Sequence, residues 1–404
     1  MSAERVLIIG AGPVGMVCAL ALNRAGIAVT VLEQEPEPVR DQRAASLHPT
    51  TLEMLDALDV LDDIRPRGLI SPTYHFRDRV SGELVAEFDL SMLADEFRFP
   101  YVLQYEQYKL TRDITARFAN ESDFDVRYSH QVDAVHILGD RVEVDVTGPD
   151  GPQRHVGSWL IGADGGRSTV RKSADIAFEG FTYPERFVKL ATSFDFREPN
   201  PGYVYRNYFS DPHEWCNLFK VRGEDERGIW RAIFPTRPEE TDEEVLSHEG
   251  IQRRLKKFFP KDGDYEIAYA NVYSVNQRVA ATFRKGRVLL VGDSAHVNNP
   301  IGGMGMNGGI HDAINLAEKL SKVMLHGADD TLLDLYSRQR RHAAVSYVQA
   351  QTIANKKLME ERDAAARAQK FAELRKTAEG RETARAYMRR AALADSLRDA
   401  AAIA

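Results

Sequence analysis

Short runs of aliphatic residues near the start of the chain mark strands that are apolar on both faces. Residues 6–9 form the first run, a glycine-rich turn follows, and the apolar spacing predicts a helix over residues 14–25. A second run, at 27–32, ends at Glu33. Strands without polar alternation are typical of parallel sheets that helices cover on both faces. The first part of the chain therefore predicts an α/β unit.

The middle of the chain alternates apolar and polar residues, as strands with one exposed face do. Residues 126–146 predict a hairpin, and the aromatic-rich residues 187–275 predict a separate antiparallel sheet. Buried strands return at 159–161 and 287–291. Beyond a glycine-rich stretch that ends at Gly309, the pattern is helical nearly to the end of the chain.

This order of elements predicts the fold class α/β, with a Rossmann-like domain, an inserted and mostly antiparallel β domain, and a helical C-terminus. A chain of 404 residues has room for about two or three such units. The predicted Rossmann-like domain comprises residues 1–73, 100–186 and 272–345, the β domain comprises 74–99 and 187–271, and the helical segment is 346–404.

Composition excludes several classes of function. The net charge of −7 argues against a nucleic-acid-binding protein, which presents a basic face. No apolar run reaches the ~20 residues that cross a bilayer, and no secretory leader precedes the first strand, so no membrane partner is expected. Only two cysteines occur, Cys18 and Cys216, which favours a reduced, cytoplasmic setting. No cysteine, histidine or carboxylate cluster has metal-ligand spacing, so no metal is predicted.

The turn after the first strand reads Gly10-Ala11-Gly12-Pro13-Val14-Gly15, a G-x-G-x-x-G sequence between a strand and a helix. These glycines permit a tight turn and let backbone N–H groups at the helix N-terminus approach a pyrophosphate. Glu33 ends the next strand, where a carboxylate accepts hydrogen bonds from both hydroxyls of an adenosine ribose. Because an acidic residue repels a 2′-phosphate, the motif predicts FAD or NAD and not NADP.

Two later strands each end in an aspartate beside glycine. Asp164-Gly165 follows the strand at 159–161, although Asp164 would equally cap a helix that begins near Ser168. Gly292-Asp293 leads into the glycine-rich stretch Pro300-Ile301-Gly302-Gly303-Met304-Gly305-Met306-Asn307. A carboxylate at a strand end can hold a ribityl hydroxyl, and a glycine loop that feeds a helix can direct backbone dipoles at an electron-rich ring.

The order of these three motifs resembles that of the class A FAD-dependent aromatic hydroxylases, the p-hydroxybenzoate hydroxylase group. The resemblance runs from about residue 4 to residue 345, and residues 211–215 are most similar to those of para-nitrophenol monooxygenases and hydroxyphenylpropionate hydroxylases. The predicted cofactor-binding residues, including Gln107 beside the ribityl chain, are Gly10, Gly12, Pro13, Val14, Gly15, Glu33, Gln34, Arg43, Ala44, Gln107, Val132, Asp164, Gly165, Asp293, Pro300, Gly302, Gly303, Met304, Gly305, Met306 and Asn307.

The resemblance implies an FAD-dependent monooxygenase that hydroxylates a phenolic aromatic compound. NADH or NADPH would reduce FAD, O₂ would add to form a C4a-hydroperoxide, and its distal oxygen would attack the ring. The expected reactants are a small aromatic substrate, O₂ and NAD(P)H, and the expected assembly is a monomer or a homodimer. The chain departs from the family at Phe219, where a carboxylate-binding arginine would fall. This departure favours a neutral or nitro-substituted phenol.

Four residues of the predicted aromatic sheet are candidates for substrate positioning, namely Tyr205, His213, Asn217 and Arg231. The resemblance places Tyr205 and Asn217 where phenol- and carboxylate-contacting groups are expected, and a tyrosine hydroxyl can relay a phenol proton. His213 would be a base near neutral pH, and Arg231 would pair with an anionic substrate if it faces inward. The competing interpretations are ordinary sheet packing for Tyr205 and a surface turn for His213.

Two other classes of function are compatible with the motifs. A flavin-dependent reductase or halogenase of the same fold would share them, although the W-x-W-x-I-P sequence of halogenases has only a loose counterpart at residues 229–235. A non-catalytic flavin-binding scaffold would act through the C-terminal helices. These basic helices are expected to pack on the FAD domain or a second subunit, because their apolar residues are sparse.

Overall fold

The structure, a computed structural model, describes residues 5–40, 43–118, 121–224 and 227–404. Its strands are β1 Arg5–Ile9, β2 Ala28–Leu32, β3 Ser46–Leu47, β4 Leu69–Ser71, β5 Thr73–Asp78, β6 Leu84–Asp89, β7 Val102–Gln104, β8 Phe124–Arg127, β9 Gln131–Ile137, β10 Val142–Gly148, β11 Gly151–Gly157, β12 Trp159–Gly162, β13 Phe178–Thr192, β14 Arg206–Ser210, β15 Cys216–Val221, β16 Ile229–Pro235, β17 Ile267–Ala280, β18 Arg284–Lys285, β19 Val288–Leu290 and β20 His296–Val297.

The α-helices alternate with these strands at first and dominate after the last of them. They are α1 Pro13–Arg24, α2 Pro49–Ala57, α3 Leu61–Ile64, α4 Gln107–Phe118, α5 Thr169–Ser173, α6 Asp242–Leu246, α7 His248–Phe258, α8 Met304–His326, α9 Leu332–Ala343, α10 Ala350–Met359, α11 Ala364–Glu379, α12 Arg381–Ala391 and α13 Ala394–Ala401. A π-helical segment, Ala344–Gln349, joins α9 to α10. None of the described helices is both long and apolar enough to cross a membrane.

A six-stranded sheet positions the three glycine motifs. Its order is β18-β19-β12-β1-β2-β8, and every pair is parallel except β18 with β19. The strands β2 and β19 are buried throughout, as their apolar sequences predict. Because β1, β12 and β19 are parallel neighbours, the turns that follow them meet at one edge of the sheet. The predicted mixed α/β fold is confirmed.

An eight-stranded sheet, in the order β20-β17-β13-β16-β15-β14-β5-β6, forms the second large layer. Its pairs are antiparallel except β14 with β5. We call the face that carries Tyr208 and Ile233 the inner face, and Phe209 and Ala232 lie in a separate core on the outer face. The strands β13 and β17 run through the predicted boundaries at 186/187 and 271/272, so the division into domains stays a prediction.

The hairpin predicted over residues 126–146 is present, but its first strand begins at Gln131 and not at residue 126. Residues 124–127 form β8, which pairs in parallel with β2 and extends the six-stranded sheet. The hairpin consists of β9 and β10, and β11 completes a three-stranded antiparallel sheet with them. An alternating pattern marks any half-exposed strand and does not identify its partner, which explains the difference.

A buried carboxylate joins the strand ends to the helices behind them. Asp312 in α8 accepts hydrogen bonds from Arg340 Nε at 2.7 Å and from the Gly292 backbone N–H at 3.1 Å, and its Oδ2 lies 2.8 Å from His296 Nε2. Burial alone would raise the pKa of Asp312, but the charges of Arg340 and His296 outweigh it and hold the pKa below its ordinary value. The network fixes the turn that carries Asp293.

We expect Asp312→Asn to lower the free energy of unfolding by about 3–5 kcal/mol, because the buried charge of Arg340 would lose its anionic partner. Urea unfolding at neutral pH measures the loss. In the wild-type protein, the depressed pKa means that the contribution of Asp312 is complete above about pH 4 and disappears as the pH falls through the folded-state pKa.

The control is Asp330→Asn, since the Asp330 side chain is 58% exposed and pairs with Arg284 at 2.6 Å. An exposed pair contributes about 0–1 kcal/mol. Equally small losses in the two variants would contradict the role given to Asp312.

Candidate active site

The first glycine motif forms a backbone cradle at the N-terminus of α1. Gly10 has a φ of +103°, and a Cβ there would lie 2.5 Å from the carbonyl oxygen of Ala163. A Cβ on Gly15 would collide with the carbonyl oxygen of Gly10. Gly12 differs, because its φ is −68° and a Cβ would meet no atom within 4 Å. This open space before the N–H groups of α1, next to Pro13, fits a pyrophosphate.

Glu33 stands beside the cradle at the end of β2. Its carboxylate accepts hydrogen bonds from the backbone N–H groups of Ala11 at 2.7 Å and Glu35 at 3.0 Å, which hold it at the loop. The exposed Gln34 follows it. The His130 backbone donates a hydrogen bond to the Glu33 carbonyl, which brings the start of β9, and with it Val132, to the same end of the sheet. Glu33 is the residue predicted to bind the adenosine ribose, and Gln34 and Val132, predicted cofactor-binding residues, lie at the same end of the sheet.

The two strand-end aspartates differ in their surroundings. Asp164 accepts hydrogen bonds from Ser168 Oγ at 2.5 Å and from the Val170 backbone at 3.1 Å, so it supports the N-terminus of α5, and burial raises its pKa. Asp293 is exposed, and no hydrogen bond to its carboxylate is seen among the described residues. The preceding Gly292, at φ +59°, packs against Val14. Asp293 is therefore the carboxylate available to a ligand.

The glycine-rich loop at 300–307 enters α8 through two left-handed residues, Gly302 at φ +107° and Gly303 at φ +70°. Asn307 ties the loop to the segment around β3, because its Oδ1 accepts a hydrogen bond from the His48 N–H at 2.9 Å and its Nδ2 donates to the Ser46 carbonyl at 2.8 Å. Its amide group therefore orders the loop against β3, and the side chains of Met304 and Met306 are buried.

Three other predicted cofactor-binding residues, Arg43, Ala44 and Gln107, lie in the same region. The Gln107 Oε1 accepts a hydrogen bond from the Ala44 N–H at 3.3 Å, and Arg231 Nη1 donates to the Arg43 carbonyl at 3.3 Å. The glycine loop, the segment at 43–48 and the N-terminus of α4 thus form one group of contacts. Together with the cradle at Gly12, the residues present fit an FAD molecule.

A cavity adjoins the glycine loop, between the inner face of the eight-stranded sheet and the C-terminal helices. Gly302 and Met304 line it on the loop side, and Tyr387 lines it on the helical side. Stacked aromatic rings form its walls, with ring centres 5.0 Å apart for Phe76 and Tyr208. The open space between these walls is about 30 Å³, so a small aromatic ligand would have to move the lining side chains, whose aromatic and sparsely polar character suits it.

Two of the four predicted substrate residues face this side of the sheet. Asn217 is paired with Tyr208 on one side and Ile233 on the other, so it lies on the inner face, and Arg231 alternates with outer-face residues and lies there too. Tyr205 precedes β14 and packs on the outer face under the guanidinium of Arg197, at 4.7 Å. The exposed His213 lies in a turn. The packing and surface-turn interpretations therefore describe Tyr205 and His213.

His48 and Arg206 line the cavity and were not among the predicted site residues. Both ring nitrogens of His48 are buried without a side-chain hydrogen-bond partner among the described residues, and the Gly302 backbone is the polar group beside the ring. Burial and the nearby charge of Arg206 lower the pKa of His48 to about 3, so its imidazole is neutral at physiological pH. His48 lies four residues after Ala44, a predicted cofactor-binding residue, but no sequence signal distinguished it from a core histidine.

The C-terminal helices form one side of the cavity and also pack on the Rossmann-like part of the chain, where Thr50 Oγ1 donates a hydrogen bond to the Ala392 carbonyl at 2.8 Å. Tyr387 of α12 stacks on Phe88 of β6, with ring centres 4.4 Å apart, and Arg385 pairs with Asp95 at 2.7 Å. The π-helical segment carries the chain on to Asn355, whose Nδ2 donates a hydrogen bond to the Ile301 carbonyl at 3.2 Å. These helices thus contact residues 84–96 and the glycine loop of the same chain. The sequence pattern did not indicate the contact with residues 84–96.

Comparison with known proteins identifies the class. A family model described as FAD binding domain matches residues 4–351, so the chain belongs to this family. The chain is 36% identical over 371 residues to para-nitrophenol 4-monooxygenase of a Pseudomonas species, which covers 90% of this chain and 89% of the relative. The crystal structure of p-nitrophenol 4-monooxygenase PnpA from Pseudomonas putida DLL-E4 matches with a TM-score of 0.90 at 34% identity and covers 96% of both chains.

A third relative is longer. The chain is 29% identical over 348 residues to 3-(3-hydroxy-phenyl)propionate/3-hydroxycinnamic acid hydroxylase of Mycolicibacterium smegmatis, which is 86% of this chain and 60% of that protein. The predicted resemblance to the class A aromatic hydroxylases is confirmed. The protein is a flavoprotein of the aromatic hydroxylase type, and FAD is the cofactor that its family binds.

Substitutions of Gly12 and Gly15, the two glycines of the first motif nearest α1, should affect different properties of the protein. We expect Gly12→Ala to weaken FAD binding by about tenfold or more while the apoprotein keeps its stability, because the new methyl group occupies only the open cradle. We expect Gly15→Ala to lower both FAD binding and stability, because its Cβ strikes backbone. FAD titration by flavin fluorescence and urea unfolding of the apoproteins measure the two effects.

Gly139→Ala is the control, since this exposed turn glycine also has open space around a Cβ and lies far from the motif in sequence. Its FAD affinity and stability should match the wild-type values. Equal losses of apoprotein stability in Gly12→Ala and Gly15→Ala would show that the space before α1 is not a ligand cradle.

Proposed function

We propose that the protein is an FAD-dependent monooxygenase that hydroxylates a phenolic aromatic compound with O₂ and NADH or NADPH. The observation that carries the proposal is the aromatic-walled cavity that shares Gly302 and Met304 with the glycine loop of the FAD site. In the balanced reaction a ring C–H becomes C–OH, NAD(P)H gives up two electrons, and the second oxygen atom leaves as water. Two relatives are named for nitrophenol and hydroxyphenylpropionate, which supports a phenolic substrate.

The proposed division of labour follows from the contacts at the site. Gly12, Glu33 and Asp293 would hold FAD, which when bound supplies the redox chemistry and the activation of O₂. The protein's own groups bind the substrate, orient it and exclude water. His48, neutral and without a side-chain hydrogen-bond partner among the described residues, would accept a hydrogen bond from the phenol hydroxyl. Asn217 and Arg231 would position the ring from the inner face of the sheet.

The decisive experiment is a substrate screen on the purified holoenzyme. We expect a yellow protein whose NAD(P)H oxidation accelerates about 10-fold or more with a subset of phenols, since bound substrate is part of a complete active site. Oxygen consumption and mass spectrometry of the products check that one oxygen atom enters the ring. The matched controls are the methyl ethers of the same phenols. Stimulated oxidation without any hydroxylated product across the panel would contradict hydroxylation and favour the reductase alternative.

The packing of α12 over the cavity predicts an effect of Tyr387 on both stability and peroxide release. We expect Tyr387→Ala to destabilise the protein by about 3 kcal/mol and to raise the share of oxidised NAD(P)H that appears as hydrogen peroxide, because loss of the ring that stacks on Phe88 admits water to the cavity. A peroxide assay alongside product analysis measures this share. Tyr387→Phe keeps the stacked ring and should keep the wild-type yield. An unchanged peroxide share in Tyr387→Ala would show that α12 does not shield the reaction.

A further inference from the structure

Arg206 is a buried cation in the cavity wall whose charge no carboxylate of the described residues balances. Its side chain is 7% exposed, and its partners are neutral, since Nη2 donates a hydrogen bond to Tyr208 Oη at 3.1 Å and the guanidinium lies 5.2 Å from the centre of the Tyr74 ring. No Asp or Glu is among the described residues that line the cavity. A buried charge without an opposite charge is costly, so the site favours a ligand that brings a negative charge.

The sheet register places Arg206 beside the position where the resemblance led us to expect an arginine. Arg206 in β14 is directly opposite Phe219 in β15, and Phe219 is directly opposite Arg231 in β16. Side chains in directly opposed positions share a face of the sheet and lie close together. Phe219 by itself favoured a neutral or nitro-substituted phenol, but the two neighbouring strands bring positive charge to the inner face next to it.

Arg206 is also the one charged side chain among the described residues that line the cavity. The other titratable groups there are His48, which burial and Arg206 keep neutral, and the phenols Tyr74, Tyr208 and Tyr387. Burial raises the pKa of Tyr74 and of Tyr387, so both phenols are protonated at physiological pH. The described lining residues therefore give the cavity one positive charge, that of Arg206. It lies on the sheet side, opposite α12, in the cavity that the glycine loop also lines.

We propose that Arg206 binds the negatively charged group of the substrate, so that the enzyme selects anionic aromatic compounds over neutral ones of the same shape. The inference rests on the proposed function and names its substrate class. The shared chemistry is an anionic oxygen, either a carboxylate substituent or a phenolate. A guanidinium binds a carboxylate through two parallel hydrogen bonds and a phenolate through a single charge-assisted one. A role confined to packing Tyr74 and Tyr208 would not discriminate by ligand charge.

The test is ligand binding to the FAD-loaded protein. Binding is detected through the change that it causes in the flavin absorption spectrum. Two pairs of probes differ in charge and hardly in shape: 4-hydroxyphenylacetate with 4-hydroxyphenylacetamide, and 4-nitrophenolate under alkaline conditions with 4-nitroaniline. We expect the wild-type protein to prefer the anion of at least one pair. Arg206→Met should lower the affinity for that anion by about 10- to 100-fold and leave its neutral partner nearly unchanged, and Arg206→Lys should restore part of the loss.

The control is Arg77→Met. Arg77 is equally buried, at 7% exposed, and also lies over a tyrosine, 4.9 Å from the Tyr203 ring, but it lies on the other face of the sheet and donates to the Gly202 carbonyl. This variant should keep the anion preference. A selective loss of 4-hydroxyphenylacetate binding in Arg206→Met identifies the anionic group as a carboxylate. A selective loss of 4-nitrophenolate binding identifies it as a phenolate.

Three results would overturn the proposal: no anion preference in the wild-type protein, equal losses for anion and neutral partner in Arg206→Met, or the same selective loss in Arg77→Met. Because binding is measured without turnover, these outcomes are distinct from a failure of hydroxylation. Anion binding through Arg206 with no hydroxylated product would refute only the proposed reaction, and hydroxylation with unaltered selectivity in Arg206→Met would refute only the role of Arg206.

Discussion

The buried carboxylate of Asp312 is the contact on which the cofactor end of the molecule depends. It lies in α8, the helix that begins at the glycine loop, and it binds the turn after β19 through Gly292 and the next helix through Arg340. Two elements distant in sequence are thereby held at fixed spacing around the position expected for the flavin. Burying this charge is costly alone, and the opposing charge of Arg340 together with the hydrogen bonds of Gly292 and His296 holds the carboxylate in one position.

Around Asp312, different parts of the molecule form the cofactor cradle and the cavity proposed for the substrate. The cofactor side is built largely from backbone, because glycines at 10, 12 and 15 let strand ends and the first turn of α1 come close to a ligand. The cavity proposed for the substrate is built mainly from side chains of the eight-stranded sheet and the C-terminal helices, and these are aromatic or aliphatic except for a few polar groups. A family that keeps one cofactor and changes its substrate is well served by this division, since side chains vary without disturbing the backbone cradle.

The sequence predicted the elements around the first motif closely, because strand, turn, helix and strand are neighbours in the chain and their spacing is local. It predicted the substrate residues less well. Within the aromatic-rich region, β14 begins at Arg206, and successive side chains of a strand point to opposite faces. Tyr205 therefore packs in the outer core, while Arg206 and Tyr208 face the cavity. No local pattern distinguishes His48 or Tyr387, because the surface that each contacts is formed by residues distant in the chain.

The sequence by itself determined the α/β class, the FAD family and the residues of the cradle, because glycine conformation, strand apolarity and terminal carboxylates are properties of short segments. Tertiary structure alone decided which face of the large sheet lies toward the glycine loop, that Arg206 lies in the cavity wall without a carboxylate partner among the described residues, and that the proline-free C-terminal helices close the cavity. Those facts depend on contacts between residues hundreds of positions apart, such as Tyr387 on Phe88, which no local pattern records.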